Sequence, residues 1–186
     1  MNAFLETLLE GRRVTLRPLT EEDAVDLQEA VQTSRTELKR RFRWGADVLP
    51  DGAIRFIRLA AEATTLGRGL TLAVAEARNG RIAGVASLSE ASFSEGGTAR
   101  LSLWVRSERQ GKGYATESGK LLTEHAFRRL GLHRIYARID PVNRPSRKVL
   151  QKLGFRYEGC LREDKRLNGR WVDQECWGLL KIEWKK

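Results

Sequence analysis

Residues 110–115, Gln110-Gly111-Lys112-Gly113-Tyr114-Ala115, have the composition of an anion cradle. They follow an apolar, strand-like stretch and open a segment with helical periodicity. A pyrophosphate needs several backbone N–H donors converging on it. It also needs the main chain to approach closely, which side chains obstruct. Gly111 and Gly113 answer both needs. The dipole of a helix starting behind them favours negative charge, and Arg109 and Lys112 can add screening charge at the rim. The spacing excludes two other phosphate loops. A Walker loop requires GxxxxGK followed by Ser or Thr, and the chain has none. A dinucleotide fingerprint requires a third glycine where Thr116 stands, early in a βαβ unit, whereas several strands precede this turn. A strand-to-helix turn that holds no ligand has the same glycine content, so the segment by itself leaves that reading open.

The other reactive side chains form no recognised cluster. Cys160 and Cys176 lie in no CxxC, and His125 and His133 complete no metal-ligand spacing, so no metal is expected. The thiols are expected to be reduced and partly buried. Lys and Arg number 34 against 24 Asp and Glu, a net charge of +10. That balance points to anionic partners: a phosphorylated cofactor, an acidic protein or RNA. No aromatic RNP-type string accompanies the charge, so nucleic acid is not expected as a partner. No stretch is long and apolar enough to span a bilayer. The opening MNAFLETLLEGRR lacks the features of a secretory signal, so a cytoplasmic location with no membrane association is expected.

The elements that must position the turn alternate between the two periodicities. Residues 13–16, 70–75, 82–88, 100–105, 135–139, 155–161 and 171–180 read as strands. Helices are expected after the capping residue Thr20, over 53–63, over 114–130 and from Pro145 to Leu153, where Gly154 can end the last one. Asn79-Gly80 signals a type I′ hairpin. Residues 36–51 mix arginine, lysine and aromatics and read as a loop or broken helix. The alternation argues for an α/β or α+β layered fold in one domain over residues 1–186.

Gln110-x-x-Gly113-x-Ala115 matches the Gln/Arg-x-x-Gly-x-Gly/Ala motif of the GNAT acetyltransferases, and the chain resembles their RimJ/RimL type. The strings RQGKGYATESGKLLTEHAF, NRPSRKVLQKLGFRYEGCLRE, LRPLTEEDA and NGRWVDQECWGLL all resemble that group, in its order. The resemblance implies a mixed, mostly antiparallel sheet of about seven strands flanked by helices and splayed at the cofactor-binding strand. It also implies an acetyl-CoA-dependent N-acetyltransferase, monomeric or homodimeric, acting by direct attack of a primary amine, here a protein N-terminal amine. A small-molecule acceptor (a polyamine, amino sugar or antibiotic) stays open. So does a non-catalytic basic module that binds RNA or the ribosome.

The resemblance implies roles for individual residues. The amides of Gln110, Gly111, Lys112, Gly113, Tyr114 and Ala115 would bind the CoA pyrophosphate. The backbone of Leu103, Trp104 and Val105 would pair with the pantetheine arm. Asn143 would contact the cofactor or order its loop, and Ser146 would stand near the thioester sulfur and protonate the departing thiolate. Both can instead serve as helix caps. The glutamate common at the start of the cofactor strand is replaced here by Ala99-Arg100-Leu101. An acid after Glu158-Gly159-Cys160 falls at Lys165 in the nearest register, with Glu163 and Asp164 just before it; Glu163 is the candidate base and Glu90 a further one. Phe42 and Trp44, among Arg40, Arg41 and Arg43, would line the acceptor cleft and suit an acidic protein N-terminus, or form a solvated basic loop.

Overall fold

The computed structural model describes residues 7–41, 52–92 and 96–185. Strands β1 (Leu9–Glu10), β2 (Val14–Pro18), β3 (Leu70–Glu76), β4 (Ile82–Ser89), β5 (Thr98–Val105), β6 (Arg134–Ile139), β7 (Arg156–Leu167) and β8 (Arg170–Leu180) form one sheet. Its order is β1-β2-β3-β4-β5-β6-β8-β7. Every strand read from the sequence is present, and the additional one is the two-residue β1. All neighbours are antiparallel except β5 and β6, which run parallel.

Alternating side chains give this sheet two apolar faces, and helices cover both. On one face α1 (Ala24–Thr33), α2 (Arg35–Arg41) and α3 (Gly52–Thr65) bury Leu27, Val31, Leu38 and Ile57 against Ala73, Val85 and Trp104. On the other, α4 (Tyr114–Arg128) and α5 (Arg144–Lys152) bury Leu122, Phe127 and Leu150 against Leu72, Val74, Leu101 and Ile135. Full burial of a side chain such as Leu122 contributes about 1.5–3 kcal/mol, so these stripes hold α4 and α5 in place over β5. Among the described residues no helix is long and apolar enough to cross a membrane.

The parallel pair sets up the site. β5 and β6 are in register at Thr98 with Arg134, Ala99 with Ile135 and Arg100 with Tyr136. Past Arg100 the strands part. The end of β5 then keeps only β4 as a partner, through Leu103 with Ala86 and Trp104 with Val85. Gly84 faces Val105 at the end of that ladder, and a Cβ there would collide with the main chain of Trp104 and Val105 (the Val105 Cα at 2.9 Å). Glycine is what permits this close approach of β4 to β5.

One turn assignment and one strand end differ from expectation. The Asn79-Gly80 hairpin forms, but only Gly80 has a positive φ, and Glu76 pairs with Arg81 across a longer turn. A type I′ turn needs both central residues left-handed. That condition is met at Asn168 (φ 50) and Gly169 (φ 81), which join β7 to β8 where the sequence reading stopped the strand at Leu161. Both thiols are free, and Cys160 is exposed rather than partly buried.

Candidate active site

Between β5 and α4 the chain makes a short 3-10 turn, Ser107–Arg109, then passes through Gly111 (φ 71) and Gly113 (φ 88). Both glycines hold left-handed backbone that other residues adopt at a cost. The amides of Gly111, Lys112, Gly113, Tyr114, Ala115 and Thr116 have no acceptor among the described residues. They are therefore open donors at the positive end of the α4 dipole, where an anion would be favoured.

Buried polar contacts fix this turn. The Glu76 carboxylate at the end of β3 has no exposed surface; it accepts from Arg109 Nε (2.8 Å), Arg78 Nε (3.1 Å) and the Tyr114 hydroxyl (3.4 Å). Burial would push its pKa up, but the hydrogen bonds and charges of Arg109 and Arg78 outweigh that and hold it below the ordinary glutamate value. Gln110 donates to the Glu37 carboxylate and to the Val105 carbonyl (3.2 Å), tying the turn to the end of β5. Lys112, expected at the rim, is exposed and donates to the Glu108 carbonyl (2.9 Å).

Two cavities open where β5 and β6 separate. One, of about 340 Å³, is bounded by Gln110, Gly111, Gly113, Tyr114, Ala115 and Thr116, by Leu103, Trp104 and Val105 of β5, and by one side of α5. The second, of about 310 Å³, runs to the other side of the sheet, among Arg100, Arg138, Asp140, Lys165 and Gln174. They share Leu103, Trp104, Ala115, Asn143, Ser146 and Val149, so Ser146 stands at their junction. Of the residues expected to bind cofactor, only Lys112 lies outside this lining.

At that junction the capping and hydroxyl roles separate. Asn143 is the N-cap of α5, and its Oδ1 accepts from the Ser146 amide at 3.2 Å. The half-buried Ser146 hydroxyl makes no hydrogen bond among the described residues. Capping therefore belongs to Asn143 and leaves the serine oxygen available to a ligand.

The candidate acids fall elsewhere. The β7–β8 register shifts between Leu161 and Lys165, so residues 162–164 bulge away from the ladder. Glu163 is exposed with φ 49, its amide donating to Asp173 Oδ1, and it lines neither cavity. Asp164 pairs with Arg138 at 3.3 Å. Lys165 re-enters the ladder opposite Val172 and faces the second cavity. Burial, then the charge of Arg100, pushes its pKa down. Glu90 accepts from the Tyr136 hydroxyl (2.6 Å) and Arg100 (2.7 Å), and these partners depress its pKa. A carboxylate so held is a weak base. Phe42, Arg43 and Trp44, and the side chains of Arg40 and Arg41, lie outside the described residues.

Sequence reasoning passed over Lys148 and Lys152, which line the turn-side cavity from α5, and over Glu76, Arg138 and Gln174. The lysines had a readable signal: four residues apart, they share one helix face. The others had none, since their places depend on pairing between distant strands.

A family model described as "Acetyltransferase (GNAT) domain" matches residues 13–156. A probable N-acetyltransferase of Bacillus subtilis, YjcK, is 29% identical over 175 residues, covering 93% of this chain and 97% of that protein. The solved structure of Mycobacterium smegmatis RimJ in complex with CoA-disulfide superimposes with a TM-score of 0.90 at 24% identity, covering 100% of this chain and 93% of the other. The ribosomal-protein-S5-alanine acetyltransferase of Vibrio fischeri superimposes with a TM-score of 0.84 at 26% identity, covering 97% of this chain and 100% of the other.

Proposed function

The chain belongs to the GNAT acetyltransferase family, and on that premise we propose that it carries acetyl from acetyl-CoA to a protein N-terminal amine. The observation that carries the cofactor half is the set of unpartnered amides of Gly111, Gly113, Tyr114, Ala115 and Thr116 on the lining of a cavity whose wall includes the end of β5 that β6 leaves unpaired. Pyrophosphate suits those donors, and Lys148 and Lys152 supply cationic charge along the same cavity. An extended, amide-bearing arm suits the free edge at Leu103, Trp104 and Val105. Acetyl-CoA supplies an activated thioester, which an uncharged amine can attack without a covalent enzyme intermediate.

The protein's own part is positioning and proton management. The cavity junction brings acceptor and thioester together beside Ser146. In this reading the Ser146 hydroxyl gives its proton to the departing sulfur and regains one from the attacking nitrogen. Asn143 holds the first turn of α5, and with it Ser146, in place. Glu163 has no comparable position, so the reading assigns it no proton. The likeness to RimJ and to the S5-alanine acetyltransferase supports an N-terminal amine as the acceptor.

Acetyl-CoA at a hundred times its Kd should stabilise the folded chain by about 2.7 kcal/mol, which raises Tm by about 5–10 °C for a chain of this size. Free thiol should then appear with short peptides bearing an open N-terminus. An unmoved Tm removes the cofactor assignment; thiol release with free amines but not with peptides removes the acceptor.

A further inference from the structure

The second cavity carries charge that the cofactor reading does not use. Arg100 of β5, Arg138 of β6 and Lys165 of β7 face it from three strands, and Asp140 is the one acid among its lining residues. The two guanidinium groups are braced from outside the cavity. Glu90 takes one nitrogen of Arg100 at 2.7 Å, and Asp164 takes one of Arg138 at 3.3 Å. Neither of these acids lines the cavity. A guanidinium has five N–H donors in a fixed fork, so a single outside partner orients it and leaves donors for the inside. The Nε of Arg100 is buried and has no acceptor among the described residues. Gln174, buried on β8, adds an amide to the same lining. Burial and the nearby Arg100 charge disfavour the protonated form of Lys165, and Asp140, the one acid on the lining, offsets them only in part.

From this geometry we infer that the acceptor is an amine that also carries a carboxylate close to the reacting nitrogen, and that Arg100, Arg138 and Lys165 receive that carboxylate. The inference rests on the acetyl-transfer reading above and narrows it. Charge-assisted, two-pronged contacts from arginine suit a planar carboxylate. The same cations favour the uncharged form of the acceptor amine, which is the form that attacks. A polyamine, with several ammonium groups and no acid, meets like charge on three walls. The carboxylate has two sources of one chemistry: an acidic side chain early in a protein N-terminus, or the α-carboxylate of a free amino acid.

Thiol release from acetyl-CoA is measured with the peptides Ser-Glu-Glu-Phe, Ser-Gln-Gln-Phe and Ser-Lys-Lys-Phe (each C-terminally amidated), with free glutamine and its α-amide, and with spermidine. Binding of the unacetylated peptides is followed by calorimetry in parallel, without acetyl-CoA. The expected result is a kcat/KM and an affinity at least about tenfold higher for the carboxylate-bearing member of a pair than for its neutral isostere. The pair that shows the preference, peptide or amino acid, identifies the source. Arg138→Gln and Lys165→Met should each erase most of it. The acetyl-CoA-induced rise in Tm should remain, since neither residue lines the turn-side cavity. Equal rates for the Glu and Gln peptides and for glutamine and its amide overturn the inference, as does faster transfer to spermidine or the Lys peptide; acetyl transfer itself then stands. Absence of an acetyl-CoA shift in the wild-type protein is a different failure and takes both readings down.

Discussion

Replacing Asn143 and Ser146 one at a time separates helix capping from proton transfer. Asn143→Ala removes the 3.2 Å bond from the Ser146 amide at the start of α5. Loss of such a cap costs about 1 kcal/mol, or about 2–4 °C in Tm for a chain of this length. Ser146→Ala removes a hydroxyl that has no partner among the described residues. It also places a better helix former in the first turn of α5, so Tm should stay within about 1 °C of wild type. A general acid contributes about 10²–10⁴ in rate. At the lower bound, Ser146→Ala should lower kcat about a hundredfold, equivalent to about 2.7 kcal/mol of transition-state stabilisation. The assay is thiol release at saturating acetyl-CoA, with cofactor affinity measured separately by titration. Cofactor affinity should change less than kcat. A Ser146→Ala enzyme at the wild-type rate would show that the hydroxyl moves no proton. A Tm loss in Ser146→Ala equal to that of Asn143→Ala would show that the serine caps after all.

Other perturbations test the turn and its brace. A Cβ at Gly113 would find open space, with Arg13 Nε at 3.8 Å as its nearest neighbour, so the cost of Gly113→Val lies in the backbone at φ 88. That cost is at least about 1–2 kcal/mol and is relieved only by reshaping the turn, so acetyl-CoA affinity should fall markedly; an unchanged Kd by titration would remove the phosphate assignment. The depressed pKa of Glu76 makes a pH prediction. Its contribution to stability is complete above the ordinary glutamate value of 4.5 and is lost as pH falls through its lower folded value. Glu76→Gln should therefore flatten the acid side of a Tm-against-pH curve and, by freeing Arg109 and Tyr114, raise the KM for acetyl-CoA. An unaltered acid side would show that the carboxylate is not held as charge.

What the sequence disclosed was local. The glycines at 111 and 113 are legible because left-handed backbone next to a helix start has few other solutions. Asn143, Pro145 and Gly154 mark α5 for the same kind of reason. Even so, Asn79-Gly80 and Asn168-Gly169 carry the same dipeptide and form different turns. Turn type there depends on how many residues the flanking strands leave between their last pairs, and strand length is set by partners far along the chain. The resemblance placed the splay at the end of β5, and the register locates where it begins, after Arg100.

The second cavity shows why chemistry on a hairpin resists reading from sequence. In Glu163-Asp164-Lys165 the side chain that reaches the cavity is chosen by the position of one bulge. In a regular strand, shifting by one residue exchanges the two faces. A bulge displaced by a single position could therefore present a carboxylate where Lys165 now stands, with no change in composition. The sign of charge on that cavity wall is thus a property of the β7–β8 register. Because Arg138 pairs with Asp164 from the neighbouring strand, the same bulge that turns this acid away from the cavity also uses it to hold a second cation at the cavity wall.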